Sequence, residues 1–176
     1  MPDVLSSFFK DSPIYRLRIN GPQSLIVDFK KDHDYLILIH QLCNYLLSKP
    51  PQNLINIIPA NLSLTLVFDQ VITPDSQWGN FILKAIEQAQ NIEFKSNKHR
   101  IPVCYEPQLA ADLDSVCKIL QCNLSQLIEA HSSVEYRVDM LGFLPGFAYL
   151  SGLPHALQLP RKSKPTLSVA AGSVAI

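Results

Sequence analysis

Charge is scarce in this sequence. Charged residues make up 17% of 176, and 15 basic side chains balance 15 acidic ones. Such a surface has no field with which to gather polyanions, which excludes a role resting on electrostatic attraction to nucleic acid or to an anionic membrane. Long apolar runs are missing as well. The longest, Tyr35 to Leu47, is interrupted by His40, Gln41 and Asn44 and falls short of the roughly 20 residues that span a bilayer. No basic segment leads into an apolar one after Met1, so the start does not read as a secretory leader, and a cytoplasmic protein is expected. The four cysteines, Cys43, Cys104, Cys117 and Cys122, lack CxxC spacing and histidine companions, so free thiols and no metal site are expected. GxSxG, HExxH, GxxxxGK[ST] and GxGxxG are all absent, which leaves no self-sufficient catalytic centre and no recognisable phosphate cradle.

What is present suits a globular protein. A hydrophobic fraction of 47% can build one sizeable core or two small ones. Tyr15, Leu17 and Ile19 alternate with arginines, Gly21-Pro22 makes a turn, and Leu25, Val27 and Phe29 alternate again, predicting two strands. Asp32 or Asp34 can cap a helix carrying Tyr35, Leu38, Ile39, Leu42, Tyr45 and Leu46 at helical spacing, ended by Pro50-Pro51. Strands follow at 54–58 and 62–68, and then a second amphipathic helix carries Trp78, Phe81, Ile82, Ala85, Ile86 and Ala89. The first module, residues 1–95, therefore reads ββαββα, an α+β sandwich with helices on one face of an antiparallel sheet. The dense charge run Lys95 to Arg100 reads as a solvated linker. In the second module, residues 101–176, strands are expected at 101–105, around Tyr136, Val138 and Met140, and at 167–171. Two short helices are expected around Leu113 to Leu120 and Leu124 to Ile128, with Asn123 or Ser125 as a cap.

The run Gly142-Phe143-Leu144-Pro145-Gly146-Phe147-Ala148-Tyr149-Leu150 stands out. From it to the end lie four of the six glycines and four of the thirteen prolines, interleaved with aromatics, which describes a shaped loop and not a tether. Together with Glu135-Tyr136-Arg137-Val138, Leu153-Pro154, Pro160-Arg161, Pro165 and Gly172-Ser173-Val174-Ala175-Ile176, it resembles the family of 5-oxoprolinase B-type subunits, also known as allophanate hydrolase subunit 1 or KipI-type kinase inhibitor. Ile101 to Tyr105, Ala111-Asp112-Leu113 and His131-Ser132 extend the resemblance upstream. It implies a cyclophilin-like β-barrel for the second module. Family members continue beyond the GSVAI motif to a Pro-Gly-Gly-Trp motif, so the resemblance also implies an incomplete, C-terminally truncated barrel.

Within that family, the resemblance places the chemistry at His131, Tyr136 and Arg161, with Phe143, Pro145, Gly146, Phe147 and Arg161 toward the substrate. The residues themselves leave alternatives open. His131 follows Leu127 and Ile128 on an apolar helix face and suits either a satisfied cap or a general acid/base. Arg161, in a proline-framed loop beside Lys162 and Lys164, suits either a carboxylate clamp or an ion pair with Glu135 or Asp139. Phe143, Phe147 and Tyr149 either line a ligand or partner surface or anchor the loop to its own barrel. Glu135 and Asp139 share a strand face with Arg137 between them, which reads as a charged surface and not as a proton-transfer dyad. His33, His40, His99 and His155 have no companions in the sequence.

Three functions follow from the resemblance. The first is a non-autonomous subunit of an ATP-dependent 5-oxoprolinase, opening 5-oxo-L-proline to L-glutamate with A- and C-type subunits and leaving ATP to a partner or a shared surface. The second is a KipI-like inhibitor of a sensor histidine kinase, without chemistry of its own. The third is an inactive fragment.

Overall fold

A computed structural model describes residues 8–164 and 166–176; Pro165, part of the resemblance and of the proline frame around Arg161, lies outside the described residues. The chain divides into two compact units, Met1–Asn97 with Asp139–Leu141, and Lys98–Val138 with Gly142–Ile176.

The first unit holds a five-stranded antiparallel sheet. Its strands are β1 (Phe8–Asp11), β2 (Tyr15–Ile19), β3 (Ser24–Phe29), β4 (Leu54–Pro59) and β5 (Ser63–Phe68), in the order β1-β2-β3-β5-β4. Register makes the core. Leu17 pairs with Val27 and Val27 with Leu64, while Ile19 pairs with Leu25 and Leu25 with Leu66, so apolar side chains of one parity fall into rows on one face. Helices α1 (Leu36–Ser48) and α2 (Ser76–Ala89) supply Ile39, Leu42, Leu46, Ile82, Ala85, Ile86 and Ala89 to the same core. Tyr15 is buried there, and its hydroxyl donates to the Gly79 carbonyl in α2 at 3.2 Å, which satisfies the polar end of an otherwise apolar anchor. On the opposite face Arg18 and Asp28 pair across strands at 2.6 Å.

Local chemistry explains the helix starts. Asp75 caps α2, its carboxylate accepting from the Gln77 N–H at 2.9 Å. At α1 the expected aspartate cap shifts by one position. Tyr35 occupies the cap, and Asp34, just before it, accepts from the Leu36 N–H at 3.1 Å. Strand β1 adds to the expected elements; Phe8-Phe9-Lys10-Asp11 is short and does not alternate, so its sequence carries no strand signal. The outer strand β4 protects its own edge: a register shift between Leu54 and Asn56 breaks its regularity, the Asn56 side chain occupies the Ile57 N–H at 2.9 Å, and Pro59 has no N–H.

The second unit contains α3 (Leu113–Leu120), α4 (Leu124–Ser132), a 3₁₀ turn at His155–Leu157 and β7 (Ala148–Ser151); β7 forms a two-stranded ribbon with β6 (Arg137–Leu141), whose first two residues belong to this unit and whose last three are grouped with the first. Asn123 caps α4 reciprocally, its side chain accepting from the Gln126 N–H while Gln126 accepts from the Asn123 N–H, both at 2.9 Å. Among the described residues of this unit only Leu127 and Leu157 are buried apolar side chains, α4 packing on the 3₁₀ turn. The described residues do not close a barrel. The expected strands at 101–105 and 167–171 join no ladder among the described residues, because a period-2 pattern becomes a strand only where another edge meets it. The second of these segments ends in a turn closed by the Ser173 N–H on the Ala170 carbonyl.

Candidate functional site

His131 lies in the last turn of α4, where two tyrosines meet it. The Tyr105 hydroxyl and His131 Nδ1 are 2.5 Å apart, with the rings edge to face at a centroid distance of 5.9 Å. The Tyr136 hydroxyl donates to the His131 carbonyl at 3.1 Å, with ring centroids 5.4 Å apart. One helix end thus has its histidine held by a phenol at the ring and by another at the backbone. The last-turn position favours an imidazolium through the helix dipole, yet burial pushes the His131 pKa below the usual imidazole value. Burial likewise raises both tyrosines, and Tyr105 adds a smaller upward push on Tyr136. The protonated phenol therefore faces a neutral imidazole. With Tyr105 donating, Nδ1 is the acceptor and Nε2 carries the ring hydrogen.

Tyr136 opens the ribbon that carries the aromatic loop. Gly142 N–H donates to the Phe147 carbonyl at 3.1 Å, and two tight turns fit inside. In the first, Leu144 N–H returns to the Gly142 carbonyl at 2.8 Å over Phe143, whose φ of 67° is unusual for a residue with a side chain. In the second, Phe147 N–H returns to the Leu144 carbonyl at 3.0 Å, with Pro145 and Gly146 as the central pair and Gly146 at φ 78°, the arrangement of a type II turn. Phe143, Phe147 and Tyr149 pack edge to face on one another at centroid distances of 5.7 and 5.0 Å. They remain at the surface, Phe143 81% exposed and the other two above 40%, so the reading in which they anchor the loop in a core gives way to a solvent-facing aromatic strip. Just beyond β7, Gly152 has φ 98°, and a Cβ there would stand 3.0 Å from the Glu135 carbonyl oxygen, next to Tyr136.

Glu135 receives Lys98 at 2.7 and 2.9 Å, which takes the salt-bridge role considered for Arg161. The proline-framed loop is tied by Lys162, which reaches both Asp112 carboxylate oxygens at 2.9 Å and the Thr166 hydroxyl at 3.0 Å. Arg161 is exposed. The structure thus joins His131 to Tyr136 and adds Tyr105. Twenty-six residues separate Tyr105 from His131, and the only signal for it in the sequence is its place in the upstream Ile101 to Tyr105 run. Among the described residues no three His, Cys, Asp or Glu side chains gather as a metal site would require, and no helix is long and apolar enough to cross a membrane.

Residues 15–176 match the model of the carboxyltransferase domain, subdomain C and D, a stretch that includes the Tyr-His-Tyr cluster and the aromatic ribbon. A 5-oxoprolinase B-type subunit of Bacillus subtilis is 31% identical over 92% of this chain and 73% of its own length. The chain belongs to the family of 5-oxoprolinase B-type subunits. Relatives with the same name occur in Escherichia coli O157:H7, 39% identical over 78% of this chain, and in Haemophilus influenzae, 42% identical over 48%. This chain spans 62% and 39% of their respective lengths. The solved structure of TTHA0988 superposes with a TM-score of 0.60 at 27% identity, covering 80% of this chain and 27% of that protein. The relatives are named as subunits, and this chain has a mixed α+β architecture with an antiparallel sheet.

Proposed function

We propose that this chain is a non-autonomous subunit of an ATP-dependent, cytoplasmic 5-oxoprolinase, a hydrolase that opens 5-oxo-L-proline to L-glutamate together with A- and C-type subunits. The observation that carries the reading is the strip of Phe143, Phe147 and Tyr149 on the ribbon that starts at Tyr136. Such a strip is better suited to a protein surface or a bound ligand than to water. In this reading a cyclophilin-like barrel is completed around the ribbon, and ATP, a co-substrate, is held by a partner or at a shared surface. Opening a lactam requires a proton on the departing ring nitrogen. Neutral His131 would supply it from Nε2 as the C–N bond breaks, while Tyr105 passes its phenol proton to Nδ1 along the contact between them and regains one from solvent. Arg161, exposed and cationic, would receive the substrate carboxylate.

The test is a reconstitution: A- and C-type subunits with ATP and 5-oxo-L-proline, with and without this chain, following glutamate. Glutamate formation should depend on the chain and fall at least ~100-fold in His131→Gln; undiminished turnover in its absence would refute the proposal. The same strip would also suit the helices of a sensor histidine kinase, as in a KipI-like inhibitor. Suppressed kinase autophosphorylation, with no effect of the chain on glutamate formation, would favour that reading.

A further inference from the structure

Helix α3 ends in a motif that brings two thiols together. Gln121 adopts a left-handed conformation, φ 52°, the Cys122 N–H donates to the Cys117 carbonyl at 3.0 Å, and the Gln121 N–H donates to the Lys118 carbonyl at 3.3 Å. That is the paired bonding of a Schellman cap, in which the side chains of the first and last residues meet, usually as an apolar contact. Here the two are cysteines. Both thiols are half-buried and free, and Cys122 is one of the groups that push the Cys117 thiol up.

We infer that Cys117 and Cys122 form a thiol oxidation site, closing to an intramolecular disulfide on reaction with a low-molecular-weight disulfide. One thiolate attacks that disulfide, forming a mixed disulfide and releasing one thiolate. The second cysteine sulfur displaces the other, so the protein loses two protons and two electrons and the reagent becomes two thiols. Closure requires adjacent backbones, and the 3.0 Å bond from the Cys122 N–H to the Cys117 carbonyl brings the two residues together across the cap. The bridge would fasten the end of α3 to Cys122, the residue before the Asn123 cap of α4 and hence on the helix that carries His131. Burial, Cys122 and Asp114 all raise the Cys117 thiol, so formation should accelerate from neutral pH toward pH 9. The two other cysteines are differently placed: Cys104 is exposed, and Cys43 lies in the first unit.

The test uses the whole chain carrying Cys104→Ser, an exposed position, incubated with oxidised glutathione at pH 8.5, alkylated, and digested with trypsin without reductant. Cleavage after Lys118 separates the thiols, so a bridge would hold the peptides 101–118 and 119–137 together, two hydrogens lighter than their sum. This linked pair is expected as the main oxidised product, about tenfold or more enriched over the urea-unfolded chain under the same conditions. Persistent mixed disulfides at Cys117 or Cys122, four-thiol reactivity equal to that of the unfolded chain in the unsubstituted protein, or links to Cys43 in place of the 117–122 pair would each overturn the inference.

Discussion

Replacing Gly152 with alanine tests how the ribbon is fastened to the strand entry at Tyr136. The backbone there has φ 98°, well past the left-handed minimum that asparagine and glycine share, and this strain costs about 1–3 kcal/mol for a residue with a side chain. The new Cβ would also stand 3.0 Å from the Glu135 carbonyl oxygen, where ordinary contacts begin near 3.4 Å, and its neighbour is backbone, which cannot rotate away. Together the two effects predict a loss of about 2–4 kcal/mol. Gly146→Ala is the matched control in the same unit, with φ 78° and nothing within 4 Å of its Cβ, for which about 1–2 kcal/mol is expected. Native-state hydrogen exchange of the α4 amides reads this difference directly, and Gly152→Ala should exchange roughly tenfold faster than Gly146→Ala or more. Fluorescence of Trp78, the single tryptophan, which sits against Phe68 and Phe81 in the first unit, should not change its unfolding midpoint. Equal α4 exchange in the two variants would refute the argument from close approach.

Leu42→Ala, at a fully buried position of α1, should lower the stability of the first unit by about 2–5 kcal/mol, measured as a shift of the Trp78 urea transition. Asp75→Ala removes the α2 cap and should cost about 1 kcal/mol in the same assay, with Asp75→Asn largely restoring it. Gln121→Gly should stabilise α3 by about 0.5–1 kcal/mol, since glycine takes φ 52° freely, read as slower exchange at Cys122. Acid should destabilise the second unit through His131. Its folded pKa lies below the ordinary 6.5, so the unfolded chain takes the proton first. The stability contribution is complete above about pH 6.5 and is lost as pH falls from there to the folded value, a slope that His131→Gln should flatten in α4 exchange.

The regular parts of the first unit are legible in the sequence because each has a period and a stop. The alternation of Leu64, Leu66 and Phe68 is the β5 core row, with the expected Leu62 falling one residue before the strand and outside the core, and the stripe from Trp78 to Ala89 is the inward face of α2. Strand β1 is not legible, because four residues carry no measurable period. In the second unit, Asn123 with Gln126 announces α4 through chemistry confined to four residues. The contacts that make the site are not of that kind. Tyr105 reaches His131 across 26 residues from a segment that reads as a strand and forms no ladder, so neither period nor spacing points to it. The α3 cap is equally hidden, because its left-handed residue is glutamine where glycine would have marked the stop.

The two units are therefore ordered by different means. The first rests on area: rows of leucine, isoleucine and phenylalanine closed over by two helices, with every strand in a ladder. The second has two buried apolar side chains among its described residues, and it is fixed by short-range devices: a capping box, a Schellman cap, two nested turns, the Lys162–Asp112 pair and a glycine that only fits as glycine. Each device sets a direction without burying much surface, so each leaves apolar side chains such as Phe143 and Leu167 facing outward. A partner that covers them would bind the folded second unit and not the unfolded chain, and it would stabilise that unit by mass action while leaving the Trp78 transition of the first unit unmoved. With such a partner, association and order in the second unit would be one equilibrium, and the Tyr105–His131–Tyr136 cluster, built on the same unit, would share it.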